Sequence, residues 1–114
     1  MMPPYSPVRR IGSLVAISGQ VGSRDGTLVP GGFLAELAQA LDNLGNVLAG
    51  AGIERADVIK VNVYLTDIED WARLNAPYAA FFPEPYPART ALAVAALPMG
   101  AQIEIEAWAV SRPD

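Results

Sequence analysis

The chain contains no cysteine and no histidine, and of its eight basic residues Lys60 is the only lysine. The first absence excludes disulfides, thiolate zinc sites and a cysteine nucleophile. The second excludes every catalytic triad that uses an imidazole base. A metal would have to be held by carboxylates and carbonyls alone, and no stretch resembles a calcium-binding loop. The scarcity of basic residues is equally informative. The net charge is −4 and the pI is near 4.6, with the arginines scattered apart from Arg9-Arg10. Affinity for nucleic acid is driven by phosphate neutralisation and needs a basic patch, so nucleic acid is not an expected partner. Long apolar runs are also missing: none approaches the ~20 residues of a membrane span. The opening Met1-Met2-Pro3-Pro4-Tyr5-Ser6-Pro7 has no charged stretch followed by an apolar one, as a secretory signal requires. The expectation is a cytoplasmic protein with no membrane partner.

What is present in excess is apolar surface. Hydrophobic residues make up 52% of the 114 residues and charged residues only 18%. That length suits one domain spanning residues 1–114. A small domain with so few charges is expected to bury part of its apolar surface against another subunit.

Hydrophobic periodicity gives the order of elements. Residues 1–10, rich in proline, read as extended. Leu14-Val15-Ala16-Ile17-Ser18 reads as a strand ending at Gly19, and Arg24-Asp25-Gly26-Thr27 as a hairpin turn. Residues 33–51 carry Leu34, Leu37, Ala38, Leu41, Leu44, Leu48 and Ala51 at spacings of three and four, which predicts a helix with one apolar face. Gly31-Gly32 mark its start and Gly52 its stop. Gly45 inside it costs about 1 kcal/mol against alanine, which close packing on a sheet would justify. Residues 58–66 alternate, with Ile59, Val61, Val63 and Leu65 on one side and Lys60, Asn62, Tyr64 and Thr66 on the other, as in a strand. A second helix is expected over 67–82, capped by Asp67 and ended by Pro83, Pro85 and Pro87; Trp71, Leu74, Tyr78, Ala79 and Phe82 form its apolar side. Residues 90–95 and 102–110 read as two further strands. Two helices can cover only one face of such a sheet. In the last strand Ile103, Ile105, Ala107 and Ala109 suit the covered face. Gln102, Glu104, Glu106, Trp108 and Val110 are too apolar for open water and too charged for a core, as in a subunit interface that holds polar pockets.

Two residues carry candidate chemistry. Arg89, at the start of one strand, presents a planar fork that matches a carboxylate. Glu104, inside the next, can orient or deprotonate water if its surroundings are partly dry. The two are expected to face each other across the sheet and to anchor an acidic small molecule beside an activated water. A structural cross-strand ion pair is the competing reading, with Glu106 as an alternative partner for Arg89.

Ser18-Gly19-Gln20, the stretch Asn75-Ala76-Pro77-Tyr78-Ala79-Ala80-Phe81-Phe82, Pro87-Ala88-Arg89 and Ile103-Glu104-Ile105-Glu106-Ala107 together resemble the RidA/YjgF family, and they occur in that family's order. The resemblance runs from about Tyr5 to Val110. It implies a chorismate-mutase-like α+β fold, with a mixed, mainly antiparallel sheet and two helices on one face. It further implies a homotrimer with clefts between subunits, and hydrolysis of 2-imino acids to 2-oxo acids and ammonia without a metal or organic cofactor. On the matching positions, Arg89 binds the substrate carboxylate and Glu104 stands near the attacking water. Ser18 lines the cleft, Tyr5 closes it, Asn75 lies near it, and Gly19 and Ala91 contribute backbone contacts. Many relatives carry cysteine where Ala91 stands. The other readings kept open are a non-catalytic module that binds 2-oxo acids, and a ribonuclease. The second is disfavoured by the low pI and the absence of histidine.

Overall fold

The computed structural model describes residues 3–112; Met1 and Met2, part of the segment expected to be extended, lie outside them. The strands are β1 (Val8–Ile11), β2 (Leu14–Val21), β3 (Ser23–Arg24), β4 (Thr27–Leu28), β5 (Val58–Leu65), β6 (Ala88–Ala93) and β7 (Ile103–Val110). The helices are α1 (Phe33–Gly50) and α2 (Asn75–Phe81). Five strands form one sheet in the order β1-β2-β7-β5-β6, and β3 and β4 make a separate ribbon at the Asp25-Gly26 turn. Only β5 and β6 run parallel, so the sheet is mixed and mainly antiparallel. This is the expected α+β arrangement of two helices on a sheet, with one strand added. β1 pairs with β2 through a turn at Gly12, whose φ of 58° favours glycine.

The core lies on one face of the sheet. Leu37, Leu41, Leu44 and Leu48 of α1 meet Val15 and Ile17 of β2, Val61, Val63 and Leu65 of β5, and Ile103, Ile105, Ala107 and Ala109 of β7. Leu74, Tyr78, Phe81 and Phe82 close the same core around α2. The two-faced pattern of β7 is therefore as the alternation predicts.

α1 stops where glycine allows it to. Gly52 takes a left-handed φ of 72°. Its N–H donates to Ala49 O at 3.1 Å, and Ile53 N–H donates to Leu48 O at 2.9 Å, which satisfies carbonyls that the helix end leaves free. Arg10 Nη2 donates to Ala51 O at 2.8 Å and ties the edge hairpin to the same point.

Four expectations are corrected. The second helix does not run from residue 67 to 82. Asp67 does cap, accepting from Glu69 N–H at 2.9 Å, but it caps a short 3₁₀ turn over Ile68–Asp70, and α2 starts only at Asn75. A continuous helix would place Pro77 in its interior, where its ring clashes with a carbonyl; in α2 it falls in the first turn, where no N–H is needed. Trp71 is consequently not a core residue: it is 42% exposed, and its Nε1 donates to Ala91 O at 3.2 Å. Ile59 does not join Val61 and Val63 inside. The β5–β7 register shifts between Val58 and Lys60, which turns Val58 inward and leaves Ile59 49% exposed. Gly45 packs against α2 rather than the sheet, since a Cβ there would lie 3.2 Å from Arg55 Nη2 and 3.4 Å from the Phe81 ring.

The tightest approach between layers is at Gly22, just after β2. A Cβ on it would stand 2.5 Å from the backbone oxygen of Glu36. The buried Glu36 carboxylate also accepts from Gln102 N at 2.8 Å and Gln102 Nε2 at 3.1 Å, fastening α1 to the start of β7. Gly22→Ala therefore forces backbone apart and should cost about 2 kcal/mol. Urea denaturation should show this as a lower midpoint at unchanged slope.

Candidate functional site

The site begins with an irregularity in β2. Its register against β7 shifts between Ile17 and Gln20, so Ser18 and Gly19 form a bulge. Ser18 N–H donates to Pro7 O at 3.0 Å and Ser18 Oγ to Ser6 O at 2.6 Å. The serine thus straps the N-terminal segment to the bulge, and the strap brings Tyr5 to the cleft rim. Gly19 bears on the site in a different way. A Cβ on it would stand 2.6 Å from Glu104 Oε2, so the Glu104 carboxylate occupies the space a side chain would fill.

Glu104 lies on the outward face of β7, opposite Val21 on one side and Tyr64 on the other. Burial raises its proton affinity above the ordinary carboxylate range, and the neighbouring Glu106 charge raises it further. Two adjoining cavities open at this point. One of about 410 Å³ is lined by Tyr5, Ser18, Gly19, Glu104, Pro98 and Met99, among others. One of about 310 Å³ shares Tyr5, Ser18, Gly19, Pro98 and Glu104 and adds Glu106.

Arg89 builds a second half-site elsewhere. It is inside β6 rather than at its start, alongside Val61 of β5, and so points to the helix side of the sheet. Its Nη2 donates to Asn75 Oδ1 at 2.9 Å. Its guanidinium carbon lies 4.9 Å from the centre of the Tyr78 ring and 5.3 Å from that of Trp71, within cation–π range. The Tyr78 hydroxyl is pushed up to about 12, by burial against a smaller opposing effect of Arg89, and has no hydrogen-bond partner. Asn75, Tyr78, Tyr86, Pro87 and Arg89 line a cavity of about 260 Å³. Ala91 follows Arg89 on the same side, its side chain against the core.

The expected meeting of Arg89 and Glu104 across the sheet is overturned within one chain. β5 stands between β6 and β7, and the two side chains leave opposite faces. The structure groups Tyr5, Ser18 and Gly19 with Glu104, and Asn75 and Ala91 with Arg89. Asn75 is more than an exposed polar residue, since it holds the guanidinium. The aromatic surround of Arg89 (Trp71, Tyr78 and Tyr86) was not read from the sequence, because those rings serve equally well as core. Asn62 and Tyr64 were also passed over, although their alternation places them on the face of Glu104 and Glu106. Among the described residues no group of three or more acidic side chains is placed to hold a metal ion, and no helix is long and apolar enough to cross a membrane.

The chain is similar to known proteins over nearly its whole length. The family model described as Endoribonuclease L-PSP matches residues 1–111. A protein of the goat, Capra hircus, named 2-iminobutanoate/2-iminopropanoate deaminase, is 45% identical over 112 residues, which is 96% of this chain and 82% of the relative. The crystal structure of RidA from the Antarctic bacterium Psychrobacter superposes with a TM-score of 0.90 at 41% identity, covering 96% of this chain and 90% of that one. E. coli TdcF with bound serine superposes with a TM-score of 0.89 at 34% identity, covering 98% and 91%. With four sequence blocks in order, a matched architecture and a family model spanning nearly its whole length, the chain belongs to the RidA/YjgF family.

Proposed function

We propose that the protein is an imine deaminase, a hydrolase acting on C=N bonds that converts 2-imino acids to 2-oxo acids and ammonia. It works as a cytoplasmic homotrimer of single chorismate-mutase-like domains. The observation that carries the reading is the division of the site. Arg89, held by Asn75 and two aromatic rings, and Glu104, seated on Gly19, line separate cavities on opposite faces of one sheet. Each is half of a site for a small carboxylate, and a second copy of the chain supplies the other half. The uncovered sheet face favours such contact: Leu14 is 46% exposed and Trp108 40% exposed. The names of the relatives support the same chemistry, as does the serine bound to TdcF, a small amino acid.

The chemistry follows from the parts. The guanidinium fork of Arg89 takes the substrate carboxylate and fixes the imine carbon. Glu104 receives a proton from water as the oxygen bonds to that carbon. The nitrogen is protonated in turn, and the C–N bond breaks as the new hydroxyl loses its proton, releasing ammonia and leaving the 2-oxo acid. A carboxylate whose proton affinity is raised by burial is a better base near neutral pH than an exposed one. The nuclease activity named in the family model's description is not part of this proposal, because Glu104 and Glu106 both line the cleft and would repel a phosphodiester.

Sedimentation at micromolar concentration should show a trimer. Trp108→Glu, which sets a charge on the apolar part of the uncovered face, should shift it towards smaller species. A wild-type monomer would contradict the shared site.

Arg89→Lys keeps the charge but loses the fork, and should lower the rate of imine hydrolysis by about 100-fold. Arg89→Ala should lower it more, with the fold intact by circular dichroism. Glu104→Gln should keep calorimetric binding of a 2-oxo acid while turnover falls. A folded, trimeric and fully active Arg89→Ala would remove the anchoring role, and a wild type that binds oxo acids without accelerating hydrolysis would make this a binding module.

Activity should survive exhaustive EDTA treatment. Loss with EDTA and restoration by a divalent ion would show that the site depends on a metal.

A further inference from the structure

Glu106 is a carboxylate that imine hydrolysis, as just described, leaves unused. It shares the outward face of β7 with Glu104, two residues along, a spacing of roughly 7 Å in an extended strand. Both line the cavity of about 310 Å³, together with Tyr5, Ser18, Gly19 and Pro98. Two carboxylates lining one cavity each disfavour the other's ionisation.

Their surroundings treat them differently. Asn62 stands opposite Glu106 on β5 and donates from Nδ2 to Glu106 Oε1 at 3.0 Å. Tyr64 stands opposite Glu104, yet its hydroxyl reaches diagonally and donates to the same Oε1 of Glu106. Among the described residues the Glu104 carboxylate receives no comparable donor, and lies over the bare backbone of Gly19.

We propose that Glu106, clamped by Tyr64 and Asn62, is a positioning residue that sets the protonation of Glu104. Glu106 is the member held in place by donors, and Glu104 is the member that takes and returns a proton. The direction of the Glu104 shift agrees, with burial as the larger cause and the Glu106 charge as the second. Tyr64 stays a donor through the neutral range, because its bond to Glu106, more than burial or the nearby charges, pushes its hydroxyl up to about 12.

The other groups facing Glu104 do not substitute for Glu106. From β5 come Tyr64 and, four register positions further along and opposite Trp108, Lys60, whose Nζ donates to Thr90 Oγ1 at 2.8 Å. The N-terminal segment supplies Tyr5, while β2 supplies only the uncharged Ser18 and Gln20, and the turn at Pro98–Gly100 carries no charge. In a trimer a second copy would add its Arg89, whose cation works against Glu106. The coupling of the two carboxyls is independent of what the cleft binds; that it matters for catalysis rests on the imine reading.

The sign for activity follows. If Glu104 must be ionised to accept a proton, the rate falls as pH drops through its titration, and Glu106 displaces that fall to higher pH. Glu106→Gln keeps an acceptor for Tyr64 and Asn62 and removes the charge.

The experiment is a pH titration of the full chain, with the glutamates labelled at the carboxyl carbon and read by NMR, in wild type and Glu106→Gln. The Glu104 carbon should titrate above the ordinary range in wild type and at lower pH in the variant. The acid limb of kcat/KM for imine hydrolysis should move the same way, so that the variant outperforms the wild type on the acid side. A folded variant whose Glu104 titration does not move overturns the proposal. Should Glu106→Gln fail to fold, the wild type still decides. Coupled carboxyls each report the other's titration as a second inflection, whereas one simple inflection on each carbon overturns the coupling. If the titration moves as expected but imines are hydrolysed at no pH, the coupling stands and the deaminase reading falls.

Discussion

The structure depends on the one-sided cover of its sheet. β7 is the middle strand, and its inward residues Ile103, Ile105, Ala107 and Ala109 are packed beneath α1 together with the inward residues of β2 and β5. With two helices there is cover for one face only. The polar residues of β5 and β7 are then driven to the other face: Glu104, Glu106, Asn62, Tyr64 and Lys60 are neighbours there because the core needs their alternate positions. The same rule separates Glu104 from Arg89, whose register partner Val61 is an inward residue. Division of the candidate site between two faces is thus a consequence of how the core is built.

Each half-site is shaped by local backbone features that interrupt the regular pattern. The bulge at Ser18-Gly19 provides a position without a side chain for Glu104 to lie against, and it gives Ser18 a backbone and hydroxyl strap for the segment that carries Tyr5. The broken approach to α2 does the corresponding work for Arg89. Because the helix cannot form ahead of Pro77, Trp71 stays outside the core and bonds to Ala91 O, while Asn75 opens the helix beside the guanidinium. Departures from ideal strand and helix coincide with the two candidate half-sites.

Electrostatically the halves are complementary. The Arg89 half is a cation set beside aromatic faces. The Glu104 half is a pair of carboxylates with unequal donors. A ligand with a carboxylate at one end and a basic or electrophilic nitrogen at the other matches that polarity, whereas a phosphodiester does not. The low overall charge of the chain is consistent with selectivity built from these few groups rather than from a broad field.

Periodicity by itself determined the order of strands and helices from β2 onward, the inward face of β7, the span of α1 and its stop at Gly52, because these follow from local repeat and glycine conformation. Residue chemistry brought forward Arg89 and Glu104, and the resemblance to the RidA/YjgF family implied Ser18, Gly19, Tyr5, Asn75 and Ala91 beside them. Tertiary structure decided what local pattern cannot encode. A single register shift against β7 reversed Ile59, and the demand of Pro77 for a first-turn position shortened α2. The insertion of β5 between β6 and β7 kept Arg89 and Glu104 apart, although their strands are consecutive in the chain, and the registers of β5 with each set them on opposite faces. Strand order is a contest among distant pairings for one core, and alternation along a single strand says which residues share a face without saying which strand lies beside it. The clamp of Tyr64 and Asn62 on Glu106 emerged for the same reason, since it exists only once β5 and β7 are paired in this register.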